Sequence, residues 1–322
     1  MRIGYNTWSM ATVPYTTFIP ALSDIGFTAI AISVVPGYTI GGAYVPNAAD
    51  QERLTRHDRA RIRQAFEERG LELPSVIGNQ SLVEDDPERN AAAMRRLRDS
   101  IDLCVELTPR GQPAPTLNTG IGGHTGDLEA KRQVILDRLG DLADYAQRHG
   151  VTLCIEPHVG GAIDTPERAE YVVGAVNSPA LRLDFDVSHF EVVGVPTEES
   201  VTRLAPLAGA AEIKDQHFRY CADDCADGEQ APDGWLVPGN GVGRAIAPDG
   251  RPVEFQFLLA GEGTFDLPSD LRLMRAQGFD SPIAFEASVQ CQARPAYDAL
   301  EAARGIYRWM ADGWRQAGVP TE

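Results

Sequence analysis

Short apolar runs alternate with longer stretches of helical periodicity along the whole chain, and few folds accept that rhythm. Arg2–Ser9 precedes a helical segment at Tyr15–Ile25, and Gly26–Ser33 precedes Asp50–Arg69, which Gly70 ends as a C-cap. Leu71–Gly78 leads to Pro87–Leu107, Pro115–Gly120 to Asp127–His149, and Val151–Glu156 to Pro166–Val176. Leu181–Asp186 is followed by Thr197–Leu204, Ala210–Asp215 after a long interval by Leu267–Gln277, and Ile283–Glu286 by Tyr297–Gln316. Parallel neighbouring strands need a crossover between them, so this order calls for a parallel sheet with helices outside.

Eight such units predict a closed (β/α)8 TIM barrel of class α/β, formed as one domain by residues 1–322. An open doubly wound sheet would carry a glycine-rich phosphate loop after its first strand, and Tyr5-Asn6-Thr7-Trp8 is not one. A barrel of this kind commonly takes about 250 residues. The excess lies mainly at 216–260, rich in Pro, Gly and acids and poor in helical periodicity. It reads as an insertion in the seventh βα loop, either a solvated decoration or a lid or docking surface at the face where barrels do chemistry.

Charge narrows the partners. With 29 Lys plus Arg against 46 Asp plus Glu, the net charge is −17, and no concentrated basic groove stands out, which excludes nucleic acid as a partner. No apolar run approaches the roughly 18 residues of a membrane span, and the N-terminus has no leader-like pattern, so a cytoplasmic protein without membrane contact is expected. Cysteines 104, 154, 221, 225 and 291 are odd in number and do not suggest a disulfide framework. Cys221 and Cys225, with no matching pair elsewhere, are expected to be free loop thiols.

Strand alternation locates the chemistry. Residues two apart share a face, so if Ile155, Phe185, Val187, Ile213 and Phe285 face the helices, Glu156, Asp186, Glu212 and Glu286 point inward at the strand tips. One such acid alone is better explained as a helix cap or an Arg partner. Four at corresponding positions of consecutive strands imply a divalent cation, since like charges in a partly dry site need a positive partner. All-oxygen ligands favour Mn²⁺ or Mg²⁺ over Zn²⁺. His158, His189 and Lys214 lie close in sequence to these acids and are candidates for cationic or hydrogen-bonding support, Lys214 first because an inward lysine without a function is unusual. Arg182 and Asp184, deeper in the sixth strand, read as a structural pair.

Glu156-Pro-His158, Asp186-Val-Ser-His189, Glu212-Ile-Lys-Asp215 and Phe285-Glu286 resemble the motifs of the sugar phosphate isomerase/epimerase superfamily, whose barrels are similar to xylose isomerase. The resemblance spans all eight units. It implies one divalent ion held by Glu156, Asp186, Glu212 and Glu286, Mn²⁺ ahead of Mg²⁺, with a sugar or glycoside as substrate. Arg219 stands where members similar to ketose epimerases place a substrate-binding Arg, and Trp8, Asn118 and His189 are assigned to the substrate with it. Where the superfamily often has His or Gln on the seventh strand this chain has Glu212, which could bind the ion, act as a base, or leave that task to His217. Gly261–Asp266 looks like the superfamily's glycine-rich segment before the last helix.

The chemistry so implied is proton abstraction beside a carbonyl through an enediolate, with Glu156 and Glu286 as the acid/base pair and Lys214 and His158 assisting, giving an isomerase or epimerase. The same enolate can expel a β substituent, as in dehydratases and in C-glycoside deglycosidase catalytic subunits, which work with a small second subunit. Such a subunit, or a homo-oligomer, is left open, and the insertion with Trp235 and Phe255 would suit either that partner or an aromatic substrate. A DNA-repair-type endonuclease ranks low against six His and −17 charge, and a non-catalytic sugar-binding barrel is the remaining alternative.

Overall fold

The computed structural model describes residues 1–221, 237 and 240–321. Strands β1 (Ile3–Asn6), β2 (Ala29–Ser33), β3 (Ser75–Ile77), β4 (Thr116–Gly120), β5 (Leu153–Glu156), β6 (Leu181–Asp186), β7 (Ala208–Ile213) and β8 (Ile283–Phe285) close into a barrel. Their order around it is β1-β8-β7-β6-β5-β4-β3-β2, every neighbouring pair being parallel. Helices α1 (Tyr15–Ile25), α2 (Arg56–Arg69), α3 (Pro87–Leu107), α4 (Asp127–Arg148), α5 (Pro166–Val176), α6 (Thr197–Leu204), α7 (Leu267–Ala276) and α8 (Ala299–Ala317) follow the strands in turn. This is the (β/α)8 architecture expected from the sequence.

Two boundaries move for local reasons. α2 starts at Arg56 because Thr55 and Asp58 form a reciprocal capping box. Asp50, expected at its start, instead accepts a 2.5 Å hydrogen bond from the buried Arg96, whose guanidinium also donates to the carbonyl of Val34 at 2.8 Å. The third strand is reduced to Ser75–Ile77, since Pro74 has no N–H for the ladder.

The described part of the long seventh βα segment forms a sheet of its own. Asp215–Tyr220 pairs antiparallel with Pro252–Leu258, which pairs in turn with Gly243–Ile246, so a three-stranded sheet stands on the C-terminal face directly after β7. Its root is Asp215, whose carboxylate accepts backbone N–H groups of Gly261 and Gly263 at 2.8 Å each and of Phe265 at 3.2 Å. A Cβ on Gly263 would collide with that carboxylate. A further hairpin absent from the sequence reading, Gly37–Ile40 with Ala43–Pro46, follows β2. Trp235 and Cys225 lie outside the described residues.

Cys104, Cys154 and Cys291 are free and buried. Cys221 is disulfide-bonded, which corrects the free thiol expected there. No helix among the described residues is long and apolar enough to cross a membrane.

The barrel is closed from below by its ends. Trp314 of α8 is buried and its Nε1 donates to the carbonyl of Met1 at 2.9 Å, tying the last helix to the start of the chain. Trp314→Ala should therefore cost about 3–5 kcal/mol of stability in urea denaturation, with Trp314→Phe losing less. A loss below about 1 kcal/mol would show that this contact does not close the fold.

Candidate active site

The strand tips bring the expected acids together. Asp186, at the end of β6, is fully buried; its Oδ1 accepts from the Ser188 backbone at 3.0 Å and hydroxyl at 2.5 Å, and its Oδ2 forms a short ion pair with Lys214. Lys214 follows β7, and its Nζ lies 3.5 Å from Glu156 Oε1, 3.6 Å from Glu286 Oε1 and 3.2 Å from His189 Nε2. His189 Nε2 is in turn 3.2 Å from Glu156 Oε1 and 3.8 Å from Asp186 Oδ2. Its Nδ1 is buried without a partner in the structure. Glu156, Asp186 and His189 offer donor atoms within 4.8 Å of one another.

On the opposite wall, Glu212 accepts from the Asn6 side-chain amide through both oxygens, at 2.9 and 2.8 Å, and the same amide reaches Glu286 Oε2 at 3.3 Å. Asn6 is held in that orientation because its Oδ1 caps the turn Thr7–Met10 by accepting from the Trp8 N–H at 2.8 Å. One layer deeper, Asp184 accepts from Asn118 at 2.7 Å while its other oxygen has no partner in the structure.

Electrostatics divide these groups. Burial acts against a charge on Glu156, yet the Lys214 ammonium and the His189 hydrogen bond hold its carboxyl well below the usual range. Burial, then repulsion from Asp184, Glu286 and Glu156, pushes Glu212 well above it. Burial also raises Glu286 against the pull of Lys214, and burial with the charges of Glu156 and Asp186 raises Asp184 well above its ordinary value. For Lys214 burial opposes the charge, but Asp186, Glu286, Glu156 and Glu212 keep it firmly protonated. Among the described residues Glu156, Asp186 and Glu286 share one ammonium, while burial and mutual repulsion raise Glu212, Glu286 and Asp184. A divalent cation fits that deficit and that donor set.

The sequence matches the xylose isomerase-like TIM barrel family over residues 19–312. The chain belongs to that family. No curated protein shows significant sequence similarity to it. Among solved structures, it is similar to D-psicose 3-epimerase determined in the presence of D-fructose (TM-score 0.71, 12% identity, covering 99% of this chain and 100% of that one). It is likewise similar to the 3-keto-D-glucoside 4-epimerase YcjR from E. coli (0.67, 15%, 97% and 99%) and to the IOLI protein with a bound zinc atom (0.68, 18%, 97% and 98%). At these identities the likeness is one of fold.

Other members of the expected set lie around this cluster, beneath it or in the added sheet. His158 is exposed at the mouth with its ring 3.9 Å, centre to centre, from that of His189. Trp8 stacks on Tyr38 of the unexpected hairpin, centroids 4.2 Å apart. Arg219 is paired with Glu254 at 2.6 Å within the added sheet, and His217 Nε2 lies 3.2 Å from Gln256 Oε1 there. Asn118 is buried against Asp184, below the acid layer. Arg182 does not pair with Asp184 as expected: its guanidinium donates to the carbonyls of Ala208 at 3.1 Å and Pro206 at 2.7 Å.

Three residues here escaped the sequence reading: Asn6, Tyr38 and Phe257, whose ring centre lies 5.1 Å from that of His189 and 5.7 Å from Lys214 Nζ. The alternation applied to the late strands would have found Asn6, two residues after Gly4 on the inner face of β1. Beside Glu156 and His158 a cleft of about 410 Å³ opens, walled by Ile121, Val159 and glycine-rich backbone.

Asn6→Ala would leave the buried Glu212 carboxyl without this donor, and should cost about 1–3 kcal/mol in urea denaturation of the metal-free protein. An unchanged midpoint would mean that the amide does not hold Glu212.

Proposed function

We propose that this barrel is a divalent-metal-dependent enzyme that moves a proton on the carbon beside a sugar carbonyl, acting as an isomerase or epimerase. The observation that carries the reading is the convergence of Glu156, Asp186 and Glu286 on one buried lysine at the C-terminal mouth, with Glu212 joined to Glu286 through the Asn6 amide. Similarity in fold to epimerases for psicose and a 3-keto-glucoside supports it.

Glu156, Asp186, Glu212 and Glu286 would hold the ion, Mn²⁺ or Mg²⁺, with His189 near enough to join them. Bound there, the ion would polarise the oxygens of an α-hydroxy carbonyl and so acidify the neighbouring C–H. Glu156, ionised at the mouth, is the group to take a proton, and Glu286, whose carboxyl is raised by burial, to hold and return one. Lys214 donates hydrogen bonds to oxygens that gain charge. His158 and Trp8 line the entrance, and the sheet built on Asp215–Tyr220 acts as a lid that limits water. Arg219, Asn118 and His217 act through the lid and the layer beneath.

A second reading is a lyase that expels a β substituent from a 3-keto sugar. The Phe257 ring, packed on Phe255 and edge-on to His189 at 5.1 Å, favours it, because an aromatic side beside the charged centre suits a substrate that carries an apolar substituent.

Incubation with Mn²⁺ and a panel of ketoses and keto-glycosides in D₂O should incorporate solvent deuterium beside the carbonyl. Chelation should abolish it and added Mn²⁺ restore it. Glu156→Gln and Glu286→Gln should each lower turnover by about 100-fold or more while the protein stays folded. Absence of both exchange and product across the panel would sink the isomerase reading, and release of an aglycone would select the lyase.

A further inference from the structure

We infer that Lys214 is the chain's own occupant of the divalent-ion site, so that an ion enters only by displacing its ammonium. The inference rests on the reading that these acids hold a metal. Glu156 Oε1, Asp186 Oδ2 and His189 Nε2 face one another across 3.2 Å and 3.8 Å. Lys214 Nζ touches all three: it is in short contact with the Asp186 oxygen, 3.2 Å from the His189 nitrogen and 3.5 Å from the Glu156 oxygen. It also reaches Glu286 at 3.6 Å. The donor atoms that could hold a cation are therefore already gathered around one.

The choice of residue supports the assignment independently. Of 29 basic residues only Lys131 and Lys214 are lysines, the others being arginine. Lys131 lies near the surface, bonded to the Val83 carbonyl and Asp85. The chain thus uses arginine for nearly all its cations and a lysine at the centre of its barrel mouth. A guanidinium is a broad planar fork, whereas an ammonium is a compact point charge that fits an ion-sized space. A divalent ion bound by the same three atoms cannot share them with that ammonium without strong like-charge repulsion.

A purely structural ion pair makes the opposite prediction about metal binding, because removing Lys214 would then disorganise the donors and weaken it. Titration calorimetry with Zn²⁺ and with Mg²⁺ on the metal-free full chain distinguishes the two. Lys214→Met should bind the ion at least about tenfold tighter than wild type, equivalent to about 1.4 kcal/mol, while its metal-free form melts at a lower temperature. In wild-type protein carrying ¹⁵N-lysine, a stoichiometric ion should shift or remove the Lys214 side-chain signal and spare that of Lys131, which Lys131→Arg assigns. The second measurement stands even if Lys214→Met does not fold. An ion-saturated wild type with an unchanged Lys214 signal, or a variant that binds no tighter, would overturn the proposal alone. Failure of both proteins to bind either ion would overturn the metal reading, and the proposal with it.

Discussion

The upper barrel depends on how a crowd of buried carboxyls is kept from flying apart. Glu156, Asp186 and Glu286 come from three strands, yet each lies within 3.6 Å of the Lys214 ammonium. Charges taken from water are tolerated only when paired and hydrogen-bonded, and here the pairing is uneven. Glu212 and Asp184 lack ion pairs with Lys214 and rely on the neutral amides of Asn6 and Asn118. A region so short of positive charge is costly as architecture and well suited to attracting a cation.

The segment Glu212-Ile-Lys-Asp215 shows how one strand end serves several layers. Glu212 and Lys214 face the barrel interior, Ile213 packs in the surrounding core, and Asp215 faces outward to grip the backbone of Gly261, Gly263 and Phe265. The sheet that begins at Asp215 then carries Phe257 back over Lys214 and His189. The charged centre and the sheet over it therefore share one root.

The first strand supplies the complementary wall. Asn6 joins Glu212 to Glu286, and the turn that it caps presents Trp8 to Tyr38 from the hairpin after β2. Burial, followed by the charge of Glu286, raises the Tyr38 hydroxyl.

Much of this was legible in the order of residues. Periodicities of 2 and 3.6 are local properties of the backbone, so eight strand-helix units, their near-correct limits and the inward direction of Glu156, Asp186, Glu212 and Glu286 follow from spacing alone. Family motifs at the strand tips pointed to the same centre. What spacing could not show was which groups meet across the barrel, because partners such as Asn6 and Glu212 are 206 positions apart and are joined only by closure. The pairing of Arg219 with Glu254 inside the added sheet, the burial of Asn118 against Asp184, and the turning of Arg182 to backbone carbonyls were decided in the same way. The sequence by itself determined the barrel and the acids at its mouth. Lys214 was expected beside them, but only the tertiary structure decided that its ammonium touches Glu156, Asp186, His189 and Glu286 at once, since that depends on long-range distances that no local pattern encodes.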